Sequence, residues 1–390
     1  MTPRERVQAA FEKRETDKVP VCHISSSAEV ASALLGRDAY VGGGKQQWRE
    51  AAAHWQGEDA HQEFLERSFR DALDLARVLE NDLVRVSYWR YDRKPTKRID
   101  DYTYLYEEGR EEDWRVLRYD PESEECQILP ACIGLAGARA QASPTLDDLA
   151  RQVAADERAL ADYQPGERSF AFELRARQLL GPEYAFRVGA VSVGIPLTNT
   201  DIWLEAMLLR PDVVERLLDL QVEHARRNVA FLAPLGFRYF FGGLDFAGND
   251  RPMYSPRLFH ELLLPRIARI SEICHRAGGY HLYASDGDLW SVADDLFGPL
   301  GVDGYYEIDR RAGMDLGRLR SRFPHLTCIG NVSSHTLHRG TFTEVVAEAL
   351  SCLEEAKRSR GIIVGTSNAF VPGTPIENVL ALLETIREHR

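Results

Sequence analysis

Gly278-Gly279-Tyr280-His281-Leu282-Tyr283-Ala284-Ser285-Asp286-Gly287 is the stretch whose reading decides the fold. Two glycines end a long helical pattern, a short run of β-formers follows, and the run finishes in a burst of polar side chains. A strand that ends this way is what an α/β barrel places at its catalytic face. Asp303-Gly304-Tyr305-Tyr306-Glu307 repeats the pattern, as do Leu326-Thr327-Cys328-Ile329-Gly330-Asn331 and Gly361-Ile362-Ile363-Val364-Gly365-Thr366-Ser367-Asn368.

Working outward, further strands are expected at Lys18–Cys22, Leu83–Tyr88, Tyr184–Ala190 and Phe237–Phe241, each followed by helical periodicity. Pro256–Ala277 carries Phe259, Leu263, Ile267, Ile270 and Cys274 on one stripe, with a kink expected at Pro265. Thr2-Pro3-Arg4-Glu5 and Thr374-Pro375-Ile376-Glu377 read as capping boxes. Eight strands in βα order, with no GxGxxG or Walker loop after the first, predict an α/β fold of the closed (β/α)8 TIM-barrel type. Residues 93–130 break the pattern with alternating Tyr, Leu and Val among charges. They are expected to form a β-hairpin insertion after the second strand, the whole of 1–390 being one domain.

The net charge is −12 and the pI about 5.5. Neither a nucleic acid nor an anionic membrane suits such a chain, so a small-molecule substrate is expected. Six cysteines without CxxC spacing, together with an N-terminus lacking an apolar core, predict a reduced, cytoplasmic protein without membrane spans. Its oligomeric state is expected to be monomer or homodimer.

The polar residues expected at the strand ends are Asp245, Asn249, His281, Tyr283, Ser285, Asp286, Glu307, Asn331 and Asn368. Singly, each has a plain structural reading: a core histidine, a helix cap, a turn asparagine. As a set they point to chemistry. His281 and Glu307, on neighbouring strands, suit either a divalent metal completed by Asp245 or Asn368, or a general acid–base pair. Arg90, flanked by Trp89 and Tyr91, could hold a substrate carboxylate or simply stack on its aromatic neighbours.

Several segments together resemble the uroporphyrinogen decarboxylase superfamily, which includes zinc-dependent, corrinoid-linked methyltransferases. They are Thr2-Pro3-Arg4-Glu5-Arg6-Val7, Asp17-Lys18-Val19-Pro20-Val21, Gly243-Leu244-Asp245, Met253-Tyr254-Ser255-Pro256, Tyr280-His281-Leu282-Tyr283, Gly313-Met314-Asp315-Leu316, Gly330-Asn331-Val332 and Pro372–Asn378. The resemblance implies the barrel. It also implies that the decarboxylases' Arg-Gln-Ala-Gly-Arg motif is replaced here by His23-Ile24-Ser25-Ser26-Ser27, against uroporphyrinogen itself as substrate. The methyltransferase branch has a His-x-Cys motif and a later cysteine. Here His281 stands with Tyr283 and Asn368 in the thiolate places, and Glu307 at a plausible ligand position. Loss of thiolates would harden the metal, zinc or a harder ion, toward oxygen-bearing substrates. The leading expectation is therefore a methyltransferase or demethylase using a corrinoid partner protein, with Tyr283 as proton donor. The alternatives are a decarboxylase or related lyase on a small carboxylate, with Arg90 or Arg187 as the cation and His281 or Asp245 as the proton donor, and a ligand-binding barrel without turnover.

Overall fold

The computed structural model describes residues 1–87, 90, 92–107, 114–130 and 144–390. Seven short parallel strands form one curled sheet. They are β1 (Leu83–Val84), β6 (Ala185–Gly189), β7 (Tyr239–Gly243), β8 (Tyr280–Ala284), β9 (Gly304–Tyr306), β10 (Thr327–Ile329) and β11 (Ile362–Ile363), in that spatial order. Between β1 and β6 in the chain, β2 (Lys97–Arg98), β3 (Thr103–Glu107), β4 (Trp114–Asp120) and β5 (Glu125–Pro130) make a separate antiparallel sheet.

The first expected strand is reduced to a single parallel bridge, Val21 to Val364. Around it, Cys22 N–H donates to Val364 O at 2.9 Å, while Asp82 N–H and Leu83 N–H donate to Val21 O at 2.8 and 3.4 Å. The two edges of the sheet are thus joined through residues 20–22. Proline at 20 cannot donate to a ladder, which limits how far this segment pairs.

Alternation along each strand sorts the core into two compartments. Cys22, Ile24, Leu83, Ala185, Tyr239, Leu282, Tyr306, Ile329 and Ile363 share the inner face. Val7, Ala10 and Phe11 of the N-terminal helix (Pro3–Phe11) plug its N-terminal end, with the Phe11 ring 4.6 Å from Tyr280 and 5.1 Å from Tyr239. The other parity packs outward against the helices. There the stripe of Phe259, Leu263, Ile267, Ile270 and Cys274 is fully buried, about 1.5–3 kcal/mol per large apolar side chain. Where a kink was expected at Pro265, a π turn spans Phe259–Leu263 before the helix resumes at Leu264–Arg276; proline's missing N–H interrupts the regular ladder there.

The capping box at Thr2 forms, Thr2 Oγ1 accepting from Glu5 N–H and Glu5 Oε2 from Thr2 N–H. The one at Thr374 does not. Its hydroxyl donates to Val371 O, and Pro375 is the residue that precedes the helix Ile376–His389. The Gly42-Gly43-Gly44 run does more than break a helix, because a Cβ on Gly44 would stand 2.1 Å from Cys126 N of β5. Close approach of the antiparallel sheet to the helix Gly43–Gln56 therefore requires glycine there. Residues 108–113 of the expected insertion lie outside the described residues, as do Trp89 and Tyr91. No described helix is long and apolar enough to cross a membrane.

Asp82 holds the sheet edges together. One carboxylate oxygen accepts Val21 N–H at 2.9 Å and bonds the Arg390 guanidinium, and the other pairs with Arg6 Nη1 at 2.9 Å. All three charged groups are buried or nearly so. Removing the carboxylate takes the buried partner from two guanidinium groups, leaving Arg6 with Asp17 and Arg390 with Glu80 at 3.7 Å, so Asp82→Ala should lower unfolding free energy by about 3 kcal/mol, read as a fall in the urea midpoint.

Candidate active site

The C-terminal ends of β7, β8 and β9 meet at one rim. After β7 the chain turns through Gly242 and Gly243. A Cβ on Gly242 would lie 2.4 Å from Ser192 N, and one on Gly243, at φ +123°, would lie 2.2 Å from Ala284 O. Only glycine lets this turn sit so close to β8, and Asp245 is delivered by it. Asp286 follows β8 by continuing the inner parity of Leu282 and Ala284. Glu307 follows β9 in the left-handed region, φ 67°, a conformation rarely adopted by a residue with a side chain.

Each of these residues offers a carboxylate oxygen lying within 4.8 Å of those of the other two. Asp245 Oδ1 accepts Asp286 N–H at 3.1 Å, and Asn368 Nδ2 donates to Asp286 Oδ2 at 2.6 Å. Burial first, then the charges of Asp245 and Asp309, push Asp286 up to about 7, against the Asn368 hydrogen bond. Glu307 is pushed up to about 8 by burial and by the charges of Asp286 and Asp245, while Arg187 and Arg85 pull it down. Three carboxylates this close either share protons or share a cation.

The arginines that act on Glu307 come from β6 and from the residue just past β1. Leu83 pairs with Ala185, so the next inward positions bring Arg85 beside Arg187. Arg187 is 2% exposed. One of its nitrogens, Nη2, donates to Ile24 O, but Nε and Nη1 have no hydrogen-bond partner among the described residues. Its guanidinium lies 5.2 Å from both the Phe241 and Tyr306 ring centres, and that of Arg85 lies 5.3 Å from Phe241. Arg85 Nε donates to Ser87 O at 2.7 Å. A buried guanidinium with two idle nitrogens is costly and suited to receive an anion.

The pairing of His281 with Glu307 as metal ligands is corrected by strand parity. Leu282 faces inward, so His281 and Tyr283 face the helices. Ser271 Oγ donates to Gly301 O at 2.8 Å and accepts from His281 Nδ1–H at 2.9 Å, leaving Nε2 buried without a partner. Burial lowers His281 to about 4, so the ring is neutral. Tyr283 donates to Val193 O at 3.3 Å and packs against Phe246, so its hydroxyl is occupied by the loop after β6.

Other expected residues also serve structure. Ser285 links the loops after β7 and β8, its hydroxyl accepting Phe246 N–H and donating to Asp286 O. Asn331 is wholly buried between Met314 O and Cys352 Sγ. Asn249 is exposed on the loop after β7. Arg90 is engaged by Glu50, at 2.6 Å, and does not join the rim carboxylates.

Asp245, Asp286, Glu307 and Asn368 are therefore the expected residues the structure brings together. Arg85 was missed, although a lone cation between Val84 and Val86 on a buried strand was its signal. The serines at 25–27 are buried, Ser27 capping the helix Ala28–Leu35.

A thiolate-bound zinc does not fit the rim, which offers no sulfur; the carboxylate trio is compatible instead with a hard divalent ion. A separate cavity of about 230 Å³ opens beside Arg4, Arg238 and Tyr280. It lies at the N-terminal ends of the strands, the end that serves stability in such folds.

Comparison with known proteins places these features. A solved methyltransferase from Methanosarcina mazei superposes over 100% of this chain and 99% of its own, with a TM-score of 0.63 at 19% identity, a likeness of fold. A uroporphyrinogen decarboxylase of Anaeromyxobacter sp. (strain Fw109-5) is 31% identical over 126 residues, which is 32% of this chain and 35% of that relative's length. The family model described as uroporphyrinogen decarboxylase (URO-D) matches residues 185–389. That span is more than half of the chain and carries Arg187, all three rim carboxylates and Asn368, so the protein belongs to the uroporphyrinogen decarboxylase family.

Proposed function

We propose that this protein is a decarboxylase-type lyase acting on a small dicarboxylate at the rim formed by Arg85, Arg187, Asp245, Asp286 and Glu307. The observation that carries the reading is the buried Arg187 with two unpartnered nitrogens in the field of protonatable carboxyls. We also read residues 19–22 as the eighth stave of a barrel, Lys97–Pro130 as an insertion into it, and the chain as one domain.

The charges assign roles. A guanidinium on the departing carboxylate would stabilise the substrate more than the transition state and slow the loss of CO2. Arg187 and Arg85 therefore anchor the carboxylate that is retained. The other carboxylate lies toward the trio, where the crowding of carboxyls disfavours its charge. Glu307 or Asp286, held protonated near neutral pH by burial and by one another, gives its proton to the carbon that loses CO2. The C–COO⁻ bond breaks, its electron pair ends in the new C–H bond, and the carboxylate left behind is reprotonated from solvent. Asn368 orients Asp286.

A second reading, methyl transfer from an oxygen-bearing donor to a corrinoid held by a partner protein, draws support from the structural neighbour being a methyltransferase and from the carboxylate trio as a hard-cation holder. The outward placement of His281 and Tyr283 removes the residues on which it first rested. A deciding experiment incubates the protein with a panel of small dicarboxylates and follows CO2. Release that falls at least about 100-fold in Glu307→Gln supports the lyase. No release from any dicarboxylate, with methyl groups appearing on free cobalamin from methoxy compounds, would select methyl transfer instead.

Arg187→Met should separate binding from stability. Losing an underpartnered buried cation should leave the fold as stable or raise its unfolding free energy by about 1–2 kcal/mol, while the protection that succinate or a similar dicarboxylate gives against thermal unfolding disappears. Loss of stability with protection retained would place the anion elsewhere.

The carboxyls also set a pH slope. Glu307 and Asp286 keep their protons in the folded chain to about 8 and 7, whereas the unfolded chain releases them near the ordinary carboxylate range. Between those limits the folded state binds more protons, so their contribution is fully present below about pH 4 and is lost as pH rises toward 8. Denaturant midpoints should fall less steeply from pH 5 to 8 in Glu307→Gln than in wild type, and lyase activity should decline above about pH 8.

A further inference from the structure

Apart from the rim, two imidazoles and two carboxylates converge on one point. Glu50 and His54 lie one turn apart on the helix Gly43–Gln56, His61 is in the first turn of the helix Glu58–Val78, and Asp92 lies in the connection that follows β1. One donor atom from each lies within 4.8 Å of all the others. The imidazole rings stack with centres 3.5 Å apart. His54 Nε2 is 3.3 Å from Asp92 Oδ1, and His61 Nε2 is 3.3 Å from Glu50 Oε1 and 3.8 Å from Asp92 Oδ1.

These separations are long for charge-assisted hydrogen bonds, which close to about 2.7–2.9 Å. They are near what a metal imposes, since bonds of about 2.1 Å in tetrahedral array set donors about 3.4 Å apart. We propose that Glu50, His54, His61 and Asp92 bind one divalent transition-metal ion of the zinc class. The donor set, two imidazoles and two carboxylates, suits such an ion better than magnesium or calcium, which take oxygen alone. Burial and the neighbouring His61 hold His54 below its ordinary value, favouring the neutral ligating form. Arg90 Nη2 and Nε donate to Glu50 Oε1 at 2.6 and 3.0 Å, and Nη2 lies 3.7 Å from Asp92 Oδ2, contacts that hold both carboxylates in place. Asp92, 47% exposed, gives the ion a way in.

Four protein donors close a tetrahedral shell, so the ion is structural and not catalytic. It ties two helices to the connection that also carries Arg85, and so fixes the chain just beyond the anion-holding side of the rim.

The test uses the full-length protein stripped with a chelator and titrated with Co²⁺, which develops visible absorption bands in a tetrahedral site. Wild type should take up one equivalent, displaced by Zn²⁺. His54→Gln and Asp92→Asn, partly exposed positions whose folding is checked by circular dichroism, should each weaken Co²⁺ binding at least about 100-fold, and Glu307→Gln should leave it unchanged. No visible bands in wild type, bands that persist in both His54→Gln and Asp92→Asn, or bands lost in Glu307→Gln would each overturn the proposal.

Discussion

Burying a guanidinium with two unused nitrogens is the constraint around which the rim is built. Arg187 sits in a face otherwise made of Cys22, Ile24, Leu83, Ala185 and Leu282, where an uncompensated charge costs several kcal/mol. The fold moderates that cost in three ways. Ile24 O takes one nitrogen, the Phe241 and Tyr306 ring faces take part of the charge, and the Glu307 carboxyl lies within reach of its field. None of these satisfies Nε or Nη1. What is left over is donor capacity that, in the proposed function, receives the retained carboxylate of the substrate, and the stability lost to it is maintained elsewhere by the apolar helix layer.

The carboxyls face the mirror problem. Asp245, Asp286 and Glu307 cannot all be ionised within 4.8 Å of one another in a partly dry site, so protons or a cation must be shared among them. Arg187 and Arg85 oppose this by pulling Glu307 down. The balance leaves its proton bound near neutral pH but removable, which is the condition a proton donor needs. A carboxylate substrate arriving at the arginines would cancel part of their pull, raise Glu307 further and make it a better-populated acid. Binding of the anion and readiness of the proton are thus coupled through charge alone.

Much of this was legible in the sequence, because polar bursts after short β-runs mark strand ends whatever the tertiary detail. Asp245, Asp286, Glu307 and Asn368 were found that way. His281 and Tyr283 were misassigned because they lie within their strand, where the period of two decides the face and a one-residue error sends a side chain to the other layer. Leu282, fully buried between them, held the inner position. The same rule would have identified Arg85 and would have favoured Arg187 over Arg90 as the cation, since each lies two residues beyond an inward apolar position, Leu83 and Ala185. The cluster of Glu50, His54, His61 and Asp92 was beyond reach, since it needs the packing of two helices against a connection distant in the chain. The failed cap at Thr374 has a local cause: its hydroxyl is spent on Val371 O.

The placement of Glu307 argues that the rim was selected for chemistry over stability. A glutamate at φ 67° costs of order 1 kcal/mol or more, and burial among other carboxyls adds to that cost. Glycine at this position would remove both penalties, and the neighbouring turn after β7 shows that glycine is used freely where only backbone conformation matters. Asp286 compounds the expense by lying beside it, tied down by Asn368 and by Asp245 through its own N–H. Strain, desolvation and like-charge repulsion converge on Glu307, the carboxyl on which the charge of Arg187 acts. A structural role would be met by any one polar group, whereas the proposed transfer of a proton beside a bound anion uses all of them in this arrangement.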